Sequence, residues 1–172
     1  LSARDLLNAV KVQANKTPIV IMTDEMEIEV DRDVIRTGAS DYLIKGQIDH
    51  QLLERTLRYA IERKQTEIYL ARLAHYDQLT DIPNRILFRD RLEHVIHLAN
   101  RDKTSFALLF IDLNGFKQVN DNFGHDAGDA IIRICAERLS ACMRRSDSVA
   151  RMGGDEFTLL LSHIENHTDV AH

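Results

Sequence analysis

The chain has no tryptophan, only two cysteines and two prolines, and no apolar run near the ~20 residues that cross a bilayer. The missing apolar run leaves nothing to read as a membrane span. An excess of basic charge is also missing. A formal net charge of −5 argues against a general nucleic-acid binder. Cys135 and Cys142 are too few for a disulfide framework or a zinc site, and on a predicted helix both are expected to pack in a core. No leader segment is visible, and Leu1 is not a natural start, so the true N-terminus is not seen. What remains is the profile of a cytoplasmic, modular protein with no membrane and no nucleic-acid partner. Its 172 residues suit one or two domains, and 44% hydrophobic content suffices for a packed core.

Glycine and proline are absent from one long stretch, residues 49–75. That predicts a single helix with Asp49 as N-cap. Leu57, Ile61, Lys64, Ile68, Ala71 and His75 recur at 3–4 spacing, a seam that Lys64 and His75 interrupt. One reading is the last helix of a preceding domain running into a polar connector. The favoured reading is a signalling helix that pairs with its copy, because the apolar positions continue past Ile61.

Where glycines do occur together, they mark the most informative segment. Residues 151–157 read Arg-Met-Gly-Gly-Asp-Glu-Phe between two short apolar runs. Two strands around a Gly-Gly pair predict a β-hairpin with a tight turn. Asp155 and Glu156 follow the glycines directly. A hairpin has no need of adjacent carboxylates there, whereas a site for a divalent cation and phosphates does.

A second segment points the same way. Residues 105–112, SFALLFID, form an apolar run closing on Asp112. This is the pattern of a buried strand that delivers a carboxylate at its C-terminal end. Gly115 follows, then a short helix, an arrangement whose exposed amides can hold phosphate. Helical stripes appear at Phe88, Leu92, Val95, Ile96 and Ala99, and at Ile132, Cys135, Leu139 and Cys142. Both are expected core faces. His94 and His97 are expected on a helix surface, with no third ligand to make them a metal pair.

Taken in order, Asp77-Gln-Leu-Thr-Asp-Ile-Pro-Asn-Arg85, Asp112-Leu-Asn-Gly-Phe-Lys117, Asn120-Asp121, Gly124-His125, Gly128-Asp129 and the Gly-Gly-Asp-Glu-Phe hairpin resemble the GGDEF family of diguanylate cyclases. The resemblance covers about residues 77–165. It departs from the family at Asp81, where Gly is usual, and at Asn114, where Asp is frequent. Family cyclases join two GTP molecules into cyclic di-GMP and release pyrophosphate.

The resemblance implies roles. Asp112, Asp155 and the Leu113 carbonyl would hold Mg²⁺, or Mn²⁺ in its place. Glu156 would act in catalysis or in holding the metal, and Lys117 would stabilise phosphate charge. Backbone amides from Asn114 through Gly115 and Phe116 to Lys117 would cradle phosphates. Asn120 and Asp129 would read the guanine edge, and His125, in the same block, is expected in a structural role. Arg144 and Asp147, an R-x-x-D pattern ahead of the hairpin, would bind cyclic di-GMP and inhibit. One module holds one GTP, so two must face each other in a homodimer.

The N-terminal third alternates strand and helix, which argues for a parallel sheet. Residues 18–23 read as a buried strand, 27–37 as helix, and 38–46, GASDYLIKG, as turn and strand. They resemble the C-terminal half of a response-regulator receiver, with Thr23 as switch hydroxyl, Tyr42 as switch aromatic and Lys45 as phosphate-sensing lysine. The receiver's phosphoacceptor half is not in the sequence, so a histidine kinase partner is expected only for a longer protein.

The fold expected is therefore α/β: a fragment of a receiver-like parallel sheet over 1–48, a linker helix over 49–76, and a nucleotide-cyclase-like GGDEF domain with a central antiparallel hairpin over 77–172. The family's domain continues past His172 with basic residues that contact phosphate, and these are not in the sequence. Two functions stay open. One is a response-regulator-type diguanylate cyclase; the other is a non-catalytic module binding GTP or cyclic di-GMP, fused to a downstream phosphodiesterase domain.

Overall fold

The computed structural model describes residues 16–24 and 38–164, together with Leu7, Val10 and Ile35. The chain divides into two units, Leu1–Ala71 and Arg72–His172.

In the first unit, β1 (Val20–Thr23) pairs in parallel with β2 (Asp41–Ile44), in a register running from Val20↔Asp41 to Thr23↔Ile44. Leu7 and Ala39 are buried against Ile19 and Ile21. The parallel pairing matches the alternation read from the sequence. Apart from Ile35, the helix expected over 27–37 lies outside the described residues. After a single 3₁₀ turn, α1 runs from His50 to His75. Asp49 caps it, its Oδ1 accepting from the Leu52 amide at 2.6 Å. Thr56 and Ala60 are its buried positions, whereas Leu57, Ile61 and Ile68 are exposed.

The second unit is a three-stranded antiparallel sheet between two helices. Its strands are β3 (Ser105–Asp112), β4 (Ser148–Gly153) and β5 (Glu156–Ile164), in the order β3-β5-β4. β5 is central, and β4 and β3 form the two edges; β3, expected as a buried strand, has no buried residue and leaves Leu108 and Phe110 exposed, because an edge strand is paired on one side only. Side chains of β5 alternate across its faces with period two. Phe157 and Leu159 pack with Val149 against Ile132 and Ala136 of α4 (His125–Cys142). Leu160 and Ala150 pack on the other face against Phe88 of α2 (Arg85–Asp102). A short α3 (Phe116–Phe123) lies against α4.

Local chemistry sets the boundaries. Asn84 caps α2, accepting from the Ile86 and Leu87 amides. Lys103 ends it in the left-handed region at φ 56°. Gly115 and Gly124 bracket α3 at φ 79° and 83°, angles that favour glycine. The stripes of α2 and α4 face the core with two exceptions. Ile96 is partly exposed, and Cys142, expected in the core, is exposed: it is the last residue of α4, and the next residue, Met143, packs against the core instead. Among the described residues, no helix is long and apolar enough to cross a membrane.

Candidate active site

The site forms where β3 ends, β5 begins and the hairpin turns. The register pairs Asp112 with Glu156 and Gly153 with Glu156. The turn therefore consists of Gly154 and Asp155. Gly154 has φ 52°, and Asp155 is not in the positive-φ region. A positive φ at only the first central position is the type II′ pattern, which calls for glycine there. A tight turn at the two glycines, as read from the sequence, would have Asp155 open the second strand. The structure puts Asp155 in the turn, half-buried, and Glu156 first in the strand, exposed beside Asp112.

Asp112 and Glu156 open, with the exposed ring of Phe110 two residues before Asp112 on β3, into a groove of about 660 Å³ whose other wall carries Arg85 and Arg89 of α2. All the ionic donors at this corner are carboxylate oxygens, the hard ligands that Mg²⁺ takes. Among the described residues, no group of three or more His, Cys, Asp or Glu forms a ready-made metal cluster. Such a cluster is not needed for an ion bound through one or two carboxylates plus substrate phosphates and waters. The residues fit that mode. Leu113 has its carbonyl at the start of the next turn, accepting from the Phe116 amide at 3.2 Å with one lone pair to spare.

Arg151 holds the turn from behind. Its Nε and Nη2 donate to the Gly154 carbonyl at 3.0 and 2.8 Å. Its Nη1 donates to both carboxylate oxygens of Asp77, at 3.0 and 3.2 Å. Asp77 Oδ1 also accepts from the Thr80 amide and hydroxyl, at 3.0 and 2.7 Å. Burial works against the charged carboxylate. The Thr80 hydroxyl and the Arg151 guanidinium outweigh it and hold the Asp77 carboxyl below the usual range. The segment 77–84 is in turn stitched to the end of α1. The Asn84 amide donates to the His75 carbonyl, and Asn84 Nδ2 donates to the Ala74 carbonyl, both at 2.9 Å. Arg72 makes a two-pronged ion pair with Asp81, which stands at φ 60°. A left-handed backbone explains why glycine suits this position elsewhere in the family.

Beside the acids lies the loop into α3. No side chain caps α3, and of its first amides Phe116 donates to the Leu113 carbonyl at 3.2 Å and Gln118 to the Gly115 carbonyl at 3.0 Å. Lys117 is exposed at this end. One turn on, Asn120 Oδ1 is buried with no hydrogen-bond partner among the described residues. It is fixed there by Gly128 of α4, where a Cβ would fall 2.0 Å from Asn120 Oδ1 and 3.2 Å from the Phe116 ring. Asp129, the next residue, is half-buried. The structure thus brings Asn120 and the Gly128–Asp129 step together.

Arg144 and Asp147 bracket a tight turn between α4 and β4. Asp147 accepts from the Arg144 amide, the Ser146 hydroxyl and the Ser162 amide, at 3.1, 3.3 and 3.1 Å. Its carboxylate is engaged inside the fold, whereas the Arg144 side chain is exposed. In the first unit, Thr23 ends β1 opposite Ile44, Tyr42 is half-buried, and Lys45 Nζ is 2.7 Å from Asp24.

Sequence reasoning did not find Arg151 or Gly128 as site-forming residues. Gly128 was visible as a motif glycine. Arg151 carried no local signal, because its partner Asp77 is 74 residues away.

A family model described as the diguanylate cyclase GGDEF domain matches residues 74–172. The chain belongs to the GGDEF diguanylate cyclase family. It is 47% identical over 119 residues to the bifunctional diguanylate cyclase/cyclic di-GMP phosphodiesterase MucR of Pseudomonas aeruginosa, covering 69% of this chain and 17% of MucR. It is 33% identical over 167 residues to the diguanylate cyclase TpbB of the same species, covering 97% of this chain and 38% of TpbB. The chain therefore spans well under half the length of these curated relatives. Among solved structures, the coiled coil and GGDEF domain of DgcB from Caulobacter crescentus, in complex with c-di-GMP, aligns with TM-score 0.62 at 30% identity. That alignment covers 70% of this chain and 62% of the DgcB chain.

Proposed function

We propose that this GGDEF domain binds GTP and, in its longer parent protein, condenses two GTP molecules into cyclic di-GMP with loss of two pyrophosphates. The observation that carries the reading is the pairing of Asp112 with Glu156 beside the Gly154–Asp155 turn, next to the uncapped start of α3.

In this reading, Asp112, Asp155 and the Leu113 carbonyl would hold Mg²⁺ or Mn²⁺ together with substrate phosphates, and Glu156 acts in catalysis beside them. A bound divalent ion there neutralises phosphate charge and makes a 3′-hydroxyl easier to deprotonate. The amides of Gly115 and Lys117 hold the phosphates, and the Lys117 ammonium adds charge. The 3′-oxygen of one GTP bonds to the α-phosphorus of the other as that phosphorus loses its bond to pyrophosphate. The hydroxyl proton leaves to a carboxylate or water. A second, reciprocal transfer closes the ring. Phosphoryl transfer of this kind depends mainly on positioning and charge.

Asn120 and Asp129 read the guanine. The close packing of Asn120 on Gly128 supports this, because it holds the amide beside the Asp129 carboxylate. A carboxylate at Asp129 accepts from the guanine N1–H and N2–H₂.

Because each module offers one nucleotide, two must meet. The exposed Leu57, Ile61 and Ile68 of α1 support pairing with a second copy. Arg144 and Asp147 form a product site, with Arg144 as the free ligand and Asp147 shaping the turn. Thr23, Tyr42 and Lys45 belong to a receiver whose longer parent answers a histidine kinase.

A second reading is a nucleotide-binding module that regulates an attached phosphodiesterase, favoured by the likeness to a bifunctional relative. The complete acid set favours catalysis. Calorimetry of GTP and ATP with Mg²⁺ tests the site. Selective GTP binding that Asp112→Asn abolishes supports it, and equal binding of both nucleotides contradicts it. Cyclic di-GMP formation by the longer protein then separates the two readings.

A further inference from the structure

Most arginines near the sheet are already committed. Arg72 is paired with Asp81, Arg91 with Ser148, Arg101 with Asp102, and Arg151 with Asp77 and the Gly154 carbonyl. Arg85 is different. It makes no hydrogen bond or ion pair among the described residues, and Arg89, one turn on, reaches only Glu93, at 3.9 Å.

Both arginines line the groove of about 660 Å³ into which Asp112 and Glu156 open. The two carboxylates likewise make no side-chain hydrogen bond or ion pair among the described residues. Two charges of each sign therefore line one space without closing on one another. Much of the remaining lining is apolar, including Ile86, Leu92 and Leu108, so water screens the charges less than on an open surface.

Helix chemistry does not account for Arg85. It is the first residue of α2, whose first turn holds no acid. The macrodipole favours carboxylates at that end and disfavours cations. The ligand that suits the groove must itself carry both signs. A bare divalent ion would leave the guanidiniums unmatched, and a bare anion would meet the carboxylates. A divalent ion chelated by polyphosphate satisfies both walls, with its metal toward the acids and its phosphate oxygens toward the forked guanidiniums.

We propose that Arg85, backed by Arg89, binds the terminal phosphates of the metal-bound nucleoside triphosphate. The proposal rests on the reading of Asp112 as a metal carboxylate. The loop 113–117 does not line this groove. Its amides and the arginines thus address different stretches of the phosphate tail, and the arginines make the site discriminate a triphosphate from a monophosphate.

The test is calorimetric titration of GTP, GMP and pyrophosphate, each with Mg²⁺, into the 172-residue chain, comparing the unsubstituted chain with Arg85→Ala, Arg85→Lys and Arg85→Ala/Arg89→Ala. The unsubstituted chain should bind GTP more tightly than GMP. Arg85→Ala should lower GTP affinity at least about tenfold, the loss expected when hydrogen bonds to a charged group are removed, and leave GMP affinity unchanged. Pyrophosphate affinity should fall by a similar factor, and the double variant should lose more. Arg85→Lys should recover only part, because an ammonium lacks the planar fork. Arg85 is exposed, so the urea unfolding midpoint should not move. Equal losses for GTP and GMP, or undiminished GTP affinity in the double variant, overturn the proposal. If the double variant keeps its GTP affinity while Asp112→Asn loses it, the metal corner stands and only the arginine role falls. If the unsubstituted chain binds neither GTP nor pyrophosphate, both fall.

Discussion

Arg151 reaches from the strand before the Gly154–Asp155 turn to Asp77, the residue that follows α1 by two positions, and also donates to the Gly154 carbonyl. One side chain thus joins the entry segment of the domain to the turn that carries Asp155. Both partners are mostly buried, with 13% and 22% of their side chains exposed.

Removing Arg151 leaves Asp77 half-paired and the turn carbonyl without its donor. Arg151→Ala should destabilise the domain by about 1.5–3 kcal/mol, the range for hydrogen bonds to charged groups. It should also weaken GTP binding through Asp155. Urea unfolding and calorimetry measure the two effects; an unchanged midpoint would contradict the pairing.

The same pair sets a pH dependence. Asp77 has its folded pKa lowered, so its contribution is present above the unfolded value of about 3.9 and is lost as pH falls through the folded value. Between pH 5 and 3, the unsubstituted chain should lose more stability than Asp77→Asn. Parallel losses in both would show that the carboxyl is not held low.

Gly128 tests the guanine end. Gly128→Ala drives a methyl into Asn120 and should cost about 1–3 kcal/mol despite alanine's better helix propensity. Asn120→Ala in the same chain should recover much of that loss, because the clash disappears. Additive losses in the thermal unfolding of the double variant would contradict the contact.

Asp81 stands at φ 60° and pairs with Arg72. Asp81→Gly should keep the fold, since glycine accepts that backbone. Asp81→Val should destabilise it by about 1–2 kcal/mol, since a β-branched residue resists the left-handed region. Differential scanning calorimetry ranks them; valine matching glycine would show that the backbone relaxes.

Much of this was legible in the residues because it is local. The apolar run 105–112, the glycines of the hairpin and the glycine-free stretch 49–75 each specify their own element through period or backbone freedom. The long-range choices were not. Reading the tight turn at the two glycines places it one residue early, and that shift is what decides whether Asp155 or Glu156 faces Asp112. Register follows the hydrogen bonds of the turn, which the residue types alone leave open. Cys142 has the spacing of a core residue, but a helix stripe does not say where the helix itself stops. Arg151 and Asp77 each resemble ordinary surface charges until the fold closes 74 positions of chain between them.

The central claim is that the corner formed by Asp112, Asp155 and Glu156 binds a divalent ion together with GTP. Titration of Mn²⁺, followed by its electron paramagnetic resonance signal in the presence of GTP, measures this directly. The account predicts that free Mn²⁺ is depleted when chain and GTP are both present. It further predicts that Asp112→Asn, at an exposed position, leaves the fold intact and reduces that depletion at least tenfold. Undiminished Mn²⁺ and GTP uptake by Asp112→Asn would contradict the account.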